Sequence, residues 1–407
     1  MTEMKKVPAI RFNKFADDWV ESELDSLFSK IKNAFVGTAT PYYVNEGHFY
    51  LESNNVKNGH INRNNEVFIN DYFYKKQQDN LLHAGDIVMV QSGHVGHSAV
   101  IPSELNNTAA HALIIFADKK RELCSYFLNY QFQTDISKKE IASFTTGNTI
   151  RHILSSDMKK FKVLLPGVTE QTQIGSYLQY LDKLISLHQA KVNKLTNLKK
   201  AMLEKMFPKD GADVPEIRFK AFAGTWEKKR LGDVVECYSG GTPLVEVSDF
   251  YGGKIPFIRS AEINSNSTEL YLTEKGLKNS SAKLVDIGNV LYALYGATSG
   301  EVGRARFCGA INQAILSIIP NANYDAEFIM QLLKRLKLKI IGTYLQGGQG
   351  NLSGAIIKDL NILFPSFNEQ VKLGNYFQNL DKIITLHQTE LEKLNNLKKA
   401  CLEKMFV

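Results

Sequence analysis

The chain has 407 residues, too many for one core, so two or more domains are expected, each burying a core of its own. Its net charge of +7 and pI of about 8.9 permit a nucleic-acid partner without demanding one. The four cysteines (Cys124, Cys237, Cys308, Cys401) have no CxxC or CxxH spacing, so no disulfide framework or zinc site is readable. No apolar run approaches the roughly 18 residues of a membrane span, and the N-terminus lacks a signal-peptide core, so a cytoplasmic protein with no membrane partner is expected.

In chain order, residues 1–166 read as a first α+β domain. VPAIRFNKFADDW (Val7 to Trp19) is a short amphipathic start, followed by an Asn-, Gly- and Tyr-rich region with strand-like pieces HFYL and EVFI. LLHAGDIVMVQSGHVGHSAVI (Leu81 to Ile101) predicts two strands around a Gly-rich turn. RELCSYFLNYQF (Arg121 to Phe132) has helical apolar spacing, and Ser143 to Pro166 predicts a polar loop, a short helix and a final strand. Residues 167–209 form a long helix.

Residues 210–365 repeat the first plan more loosely, with VPEIRFKAFAGTW answering VPAIRFNKFADDW and IGNVLYALYGATSGEVGRARF answering AGDIVMVQSGHVGHSAVI. The last segment, 366–407, repeats the helix: from Pro166 and Pro365, roughly 25 of about 42 aligned positions are identical. In the first copy Ile174, Leu178, Leu181, Ile185, His188, Val192 and Leu195 alternate steps of four and three. In the second, Leu373, Phe377, Leu380, Ile384, His387, Leu391 and Leu394 do the same. Sustained over about four heptads, this period marks a coiled-coil seam, and ~37 residues at ~1.5 Å each make rods of roughly 55 Å. The chain order makes the pair antiparallel, with a pseudo-twofold axis and the C-terminal MFV near the N-terminal VPAIRF. His188 and His387, near the rod midpoints, are expected to meet at that axis as a polar pair that fixes register. Lys199 and Lys398 continue the two seams as a second polar step, while the default reading of Lys191, Lys194, Lys199 and Lys200 is a solvated helix face.

The order of these pieces in duplicate resembles the DNA-specificity subunit of type I restriction-modification enzymes. The resemblance rests on GDIVMVQSG with GNVLYALYG, TTGNTIRHI with QGGQGNLSG, and the entry to each long helix (Pro166 with Glu170 and Gln171; Pro365 with Glu369 and Gln370). It implies two target-recognition domains, each reading one half of a bipartite, asymmetric double-stranded DNA target. It also implies helices that space the halves and dock two methyltransferase subunits, which recruit restriction subunits with ATP-dependent translocase and nuclease activity. The chain itself would be non-catalytic and need no cofactor; S-adenosylmethionine, ATP and magnesium would belong to its partners. The first domain departs from the commoner pattern in having QSGHVGHSAV where the second has YGATSGEVGRAR.

The residues support that reading on their own. There is no P-loop, dinucleotide fingerprint, HExxH or amino-methyltransferase motif. His94 and His97 lack companions for a metal site and read as part of a Gly-rich turn. Each domain carries about +1 and the helical segments about +4 and +1, so most of the phosphate grip is expected from partners. Base readout needs polar side chains on Gly-rich loops. The candidates are Thr38, Tyr42, Tyr43, Asn54, Lys57, Arg63, Gln91, Ser92, His94, Asn148 and Arg151 in the first domain. In the second they are Thr242, Arg259, Ser260, Thr298, Ser299, Arg304, Gln349 and Asn351. The rival reading is a coiled-coil protein-interaction scaffold with two non-DNA recognition domains.

Overall fold

Apolar residues at steps of four and three, with no proline inside, give two helices of 38 residues each, Val168–Lys205 and Phe367–Lys404. The computed structural model of the protein describes residues 7–145, 151–345 and 351–407. The chain divides into two units: Met1–Gln189 with Thr389–Val407, and Ala190–Gln388.

In the first unit a four-stranded antiparallel sheet has the order Phe28–Asn33, Leu113–Lys119, Ile87–Val90, Ser98–Val100. Ile87–Val90 is apolar on both faces, and every one of its residues is buried. A second sheet joins Ala109–Ala110, His48–Leu51, Val67–Ile69 and Tyr43–Val44. Val20–Glu23 pairs with Lys162–Leu165, the strand that leads into the long helix.

The second unit repeats the scheme. Its main sheet runs Val235–Ser239, Ile315–Pro320, Val290–Ala293, Val302–Arg304. Its second sheet runs Tyr271–Leu272, Tyr251–Ile258, Gly309–Ile311, Lys283–Val285, and Glu227–Arg230 pairs with Asn361–Phe364. The class is α+β, with one plan used twice.

Each unit holds the long helices by the same devices. The Val7–Trp19 segment is irregular, yet Arg11 grips Glu170 with two bonds of 2.7 Å, and Ile10 N–H donates to the Lys404 carbonyl at 2.8 Å. Arg218 grips Glu369 at 2.8 and 2.7 Å, and Ile217 N–H donates to Lys205 at 2.9 Å. Both glutamates are buried, so their charge needs this partner. The glutamine that follows each one ties the helix start to its unit. Gln171 accepts from Cys124 N–H and donates to Pro166, and Gln370 accepts from Asp325 N–H and donates to Pro365. Trp19 packs edge-on to Phe406, and Trp226 edge-on to Phe207.

The helix halves within each unit run antiparallel. In the first, Leu178 and Leu181 share a core with Cys401, Met405 and Phe406, and Lys398 bonds Asp182 at 2.6 Å. In the second, Met206 and Phe207 share a core with Leu373, Phe377 and Leu380, and Lys199 bonds Asp381 at 2.6 Å. Lys199 is therefore not part of a solvated face. The polar seam step at Lys199 and Lys398 is a matched ion pair that specifies both register and direction. Ile174, Val192 and Ile384 are buried too, while Ile185, His188, Leu195, His387, Leu391 and Leu394 are half-buried.

Candidate nucleic-acid interface

The Gly-rich run after Ile87–Val90 turns at Gly93 (φ +79°) and Gly96 (φ +87°), and the one after Val290–Ala293 at Gly296 (φ +87°) and Gly300 (φ +79°). These left-handed conformations favour glycine and bring the chain back as a hairpin. The hairpins close identically: Val90 N–H donates to His97 and Gly96 N–H returns to Val90, as Ala293 N–H donates to Glu301 and Gly300 N–H returns to Ala293. The residue before each turn then ties in two more segments. Gln91 N–H donates to Ala112 and its carbonyl accepts from Ile153; Leu294 N–H donates to Ala314 and its carbonyl accepts from Leu352.

In the first unit this brings Gln91, Ser92, His94 and Arg151 together. Gly93 N–H donates to the Arg151 carbonyl, and Ser92 bridges His152. A cavity of about 360 Å³ opens among Gly93, His94, His97, Lys138, Thr145 and Arg151. Burial lowers the His97 pKa, and nearby His94, Lys57 and Lys138 lower it further, which keeps that ring neutral; Lys138 and Arg151 on the lining suit the pocket to an anion. Lys57 lies on the small hairpin next to it, where Asn58 N–H meets His97 Nδ1 at 3.3 Å. The Gln91 side-chain oxygen is buried and has no hydrogen-bond partner among the described residues, a cost that a ligand donor would relieve. Thr38 is exposed on the loop whose Gly37 carbonyl meets His111 Nε2 at 3.0 Å, and Ala112 N–H donates to Phe35.

Four first-unit candidates stand apart. Tyr42 is stacked on Phe73 with ring centroids 4.2 Å apart. Tyr43 donates to Glu52, and burial followed by that carboxylate pushes its pKa far above the ordinary range. Arg63 pairs with Glu66 across the Phe49 ring, and Asn54 is exposed in a short turn.

In the second unit Thr298 and Ser299 form the hairpin turn, Asn351 is exposed beside Leu352, and Thr242 donates to the Gln313 side chain next to Ala314. Gly240 and Gly241 allow this approach, since a Cβ on either would collide with Ile311 or Ser281. Arg259 is held by Glu262 and Glu269, with Ser260 beside it. Arg304 lies at the far end of its hairpin, opposite Val290, with its guanidinium on the Gly288 carbonyl at 3.0 Å and Glu327 at 3.4 Å. Asn148 and Gln349 lie outside the described residues.

The sequence reading passed over His111 and Gln313. Neither belongs to a glycine-rich motif; aligning the two copies strand by strand was the one signal that could have found them. Among the described residues no cluster of His, Cys, Asp and Glu is arranged to hold a metal ion, and no helix is long and apolar enough to cross a membrane.

Comparison with known proteins places the two repeats of the chain in a class of DNA-specificity domains. The family described as "Type I restriction modification DNA specificity domain" matches residues 16–197 and again 223–396. The chain belongs to this family. The putative type I restriction enzyme MjaX specificity subunit of Methanocaldococcus jannaschii is 23% identical over 398 residues, 94% of this chain and 91% of that protein. The MjaIX specificity subunit of the same organism is 26% identical over 194 residues, 45% of this chain and 44% of that protein. The crystal structure of a type I restriction-modification S subunit from M. genitalium has the same fold, with a TM-score of 0.72 at 18% identity over 98% of this chain and 99% of that one.

Proposed function

We propose that the chain is the sequence-reading subunit of a type I restriction-modification enzyme, binding double-stranded DNA and performing no chemistry itself. The observation that carries this is the pair of equivalent loop clusters on matching frames with different side chains: one scaffold, two chemistries of contact. A target of two unlike half-sites follows, because Ser92 and His94 present other donors and acceptors than Thr298, Ser299 and Asn351. The long helices space the half-sites, whose centres then lie roughly one duplex turn, about 34 Å, apart. His188 and His387 act at the rod midpoints to fix register.

Two methyltransferase subunits are the expected partners, and they recruit the restriction subunits. Support for two copies comes from a duplicated outer surface: Leu187 and Leu386 are exposed at equivalent helix positions, as are Leu198 and Leu397. S-adenosylmethionine, ATP and magnesium then belong to those partners.

The test is to purify the chain with its methyltransferase, supply S-adenosylmethionine, and sequence the methylated DNA. One asymmetric motif in two parts, with methylation absent when the chain acts alone, is the expected result. Methyl transfer by the isolated chain, or a single uninterrupted motif, would overturn the proposal. Inserting about one helical turn of residues into a rod should change the gap between the half-sites.

A further inference from the structure

His111 and Gln313 occupy the same place in the two units. Met89 pairs with Ile114 and Tyr292 with Leu316; the residues before Gln91 and Leu294 thus align, and Ala112 and Ala314 accept from the same two backbone positions. His111 and Gln313 are the residues just before those alanines. Each reaches across to the Gly-Thr loop of its own unit, His111 to the Gly37 carbonyl and Gln313 to the Thr242 hydroxyl. Phe35 and Tyr50 flank the His111 ring with centroids 6.0 and 5.9 Å away, so it has little freedom to turn. Ala112 has φ +54°, a left-handed conformation that is unfavourable for a non-glycine residue and is held here by bonds on both sides. Strain of this kind fixes where the preceding side chain points.

We infer that His111 and Gln313 are specificity-determining residues, each presenting to a base edge the hydrogen-bonding group that its loop contact leaves over. The inference rests on the DNA-recognition reading above. A carbonyl only accepts, so His111 Nε2 carries the hydrogen toward Gly37, and Nδ1 of the neutral ring is left as an acceptor. An acceptor in the major groove matches the amino group of adenine or cytosine. Gln313 has the opposite polarity: its oxygen takes the Thr242 proton, leaving the amide NH2 as a donor. A donor there matches the O6 and N7 of guanine or the O4 of thymine. Equivalent positions therefore read complementary features, one in each half-site.

The experiment co-expresses the full chain with its methyltransferase and maps methylated sequences for the unsubstituted protein, the reciprocal variants His111→Gln and Gln313→His, and the truncations His111→Ala and Gln313→Ala. The reciprocal changes place in each unit a side chain that the equivalent site already accommodates. His111→Gln donates its amide N–H to the Gly37 carbonyl and still leaves an acceptor, so it should keep the preference at its base, with the gap and the other half-site intact. Gln313→His accepts from Thr242 and leaves a ring N–H donor, so it should likewise keep the preference in the other half-site, while His111→Ala and Gln313→Ala should each lose discrimination at one base by on the order of tenfold or more. Size-exclusion chromatography of each variant with the methyltransferase checks assembly. An unchanged motif in the assembled alanine variants, a uniform fall in methylation without a change of motif, or loss of discrimination in the reciprocal variants would overturn the inference. Failure of the unsubstituted complex to methylate a two-part motif would instead overturn the DNA-recognition reading.

Discussion

The two units are nearly identical where they hold the long helices and unlike where their loops gather. Arg11 with Glu170 matches Arg218 with Glu369 bond for bond, and Lys398 on Asp182 matches Lys199 on Asp381. Yet Asp182 also accepts from the Tyr130 hydroxyl where Asp381 accepts from the Gln331 amide. The helix against the main sheet is broken into Ser125–Gln131 and Asp135–Ser143 in one unit, where Thr134 caps a new start, and runs unbroken as Ala326–Tyr344 in the other. His97 among basic groups is replaced by Glu301 paired with Lys337. A buried charge tolerates no change in its partner, whereas an exposed loop is free to diverge.

The largest expected effect breaks the matched anchors. Arg11→Met and Arg218→Met each leave a buried glutamate unpaired and should each cost about 3–5 kcal/mol. Hydrogen exchange should show the loss mainly in the unit that carries the substitution; a large imbalance between the two would break the equivalence of the anchors.

Next come the hairpin glycines. A Cβ at Gly96 would sit 2.9 Å from Ile141 Cγ2, and one at Gly300 would sit 2.9 Å from Ile341 Cδ1, both at positive φ. Gly96→Ala and Gly300→Ala should each cost about 1–3 kcal/mol by denaturant unfolding and disturb recognition of one half-site only. A variant with full stability and an unaltered motif would show that the turn does not shape the interface.

Acid should separate the units by mechanism. Burial pushes Asp182 up, but bonds from His60, Lys398 and Tyr130 prevail and hold its carboxyl below the ordinary value. Its folded pKa is depressed, so its stabilisation is present above the unfolded value of about 3.9 and is lost as pH falls through the folded value. Burial likewise pushes Glu262 up, and bonds from Arg259, Glu269 N–H and Thr268 bring it down to about 2. Its support should fade between the unfolded value of about 4.3 and about 2. Exchange monitored at Thr389–Val407 and at Arg259–Leu270 while the pH is lowered reads the two separately. Tyr130→Phe should move the first loss to higher pH and leave the second unchanged.

The smallest effect concerns the pocket of the first unit that Lys138 and Arg151 line. Arg151→Ala should weaken DNA binding by the assembled complex at every sequence and lower its salt dependence by about one phosphate contact. An unchanged salt slope would remove Arg151 from the backbone-contacting set.

The sequence alone determined the duplicated plan, the long helices and their antiparallel pairing, because heptad spacing and repeat order are local patterns that need no distant partner to be read. It also pointed to the Gly-rich hairpins, since Gly93, Gly96, Gly296 and Gly300 occupy conformations that favour glycine. Only the tertiary structure decided which polar residues share a place. It set Arg304 at the far end of its hairpin and tied Arg259 to two carboxylates. It turned Lys199 from a surface charge into a register-setting ion pair and brought His111 and Gln313 to the loops. The reason is that these assignments depend on contacts between residues tens to hundreds of positions apart, and composition or spacing along the chain carries no record of such contacts.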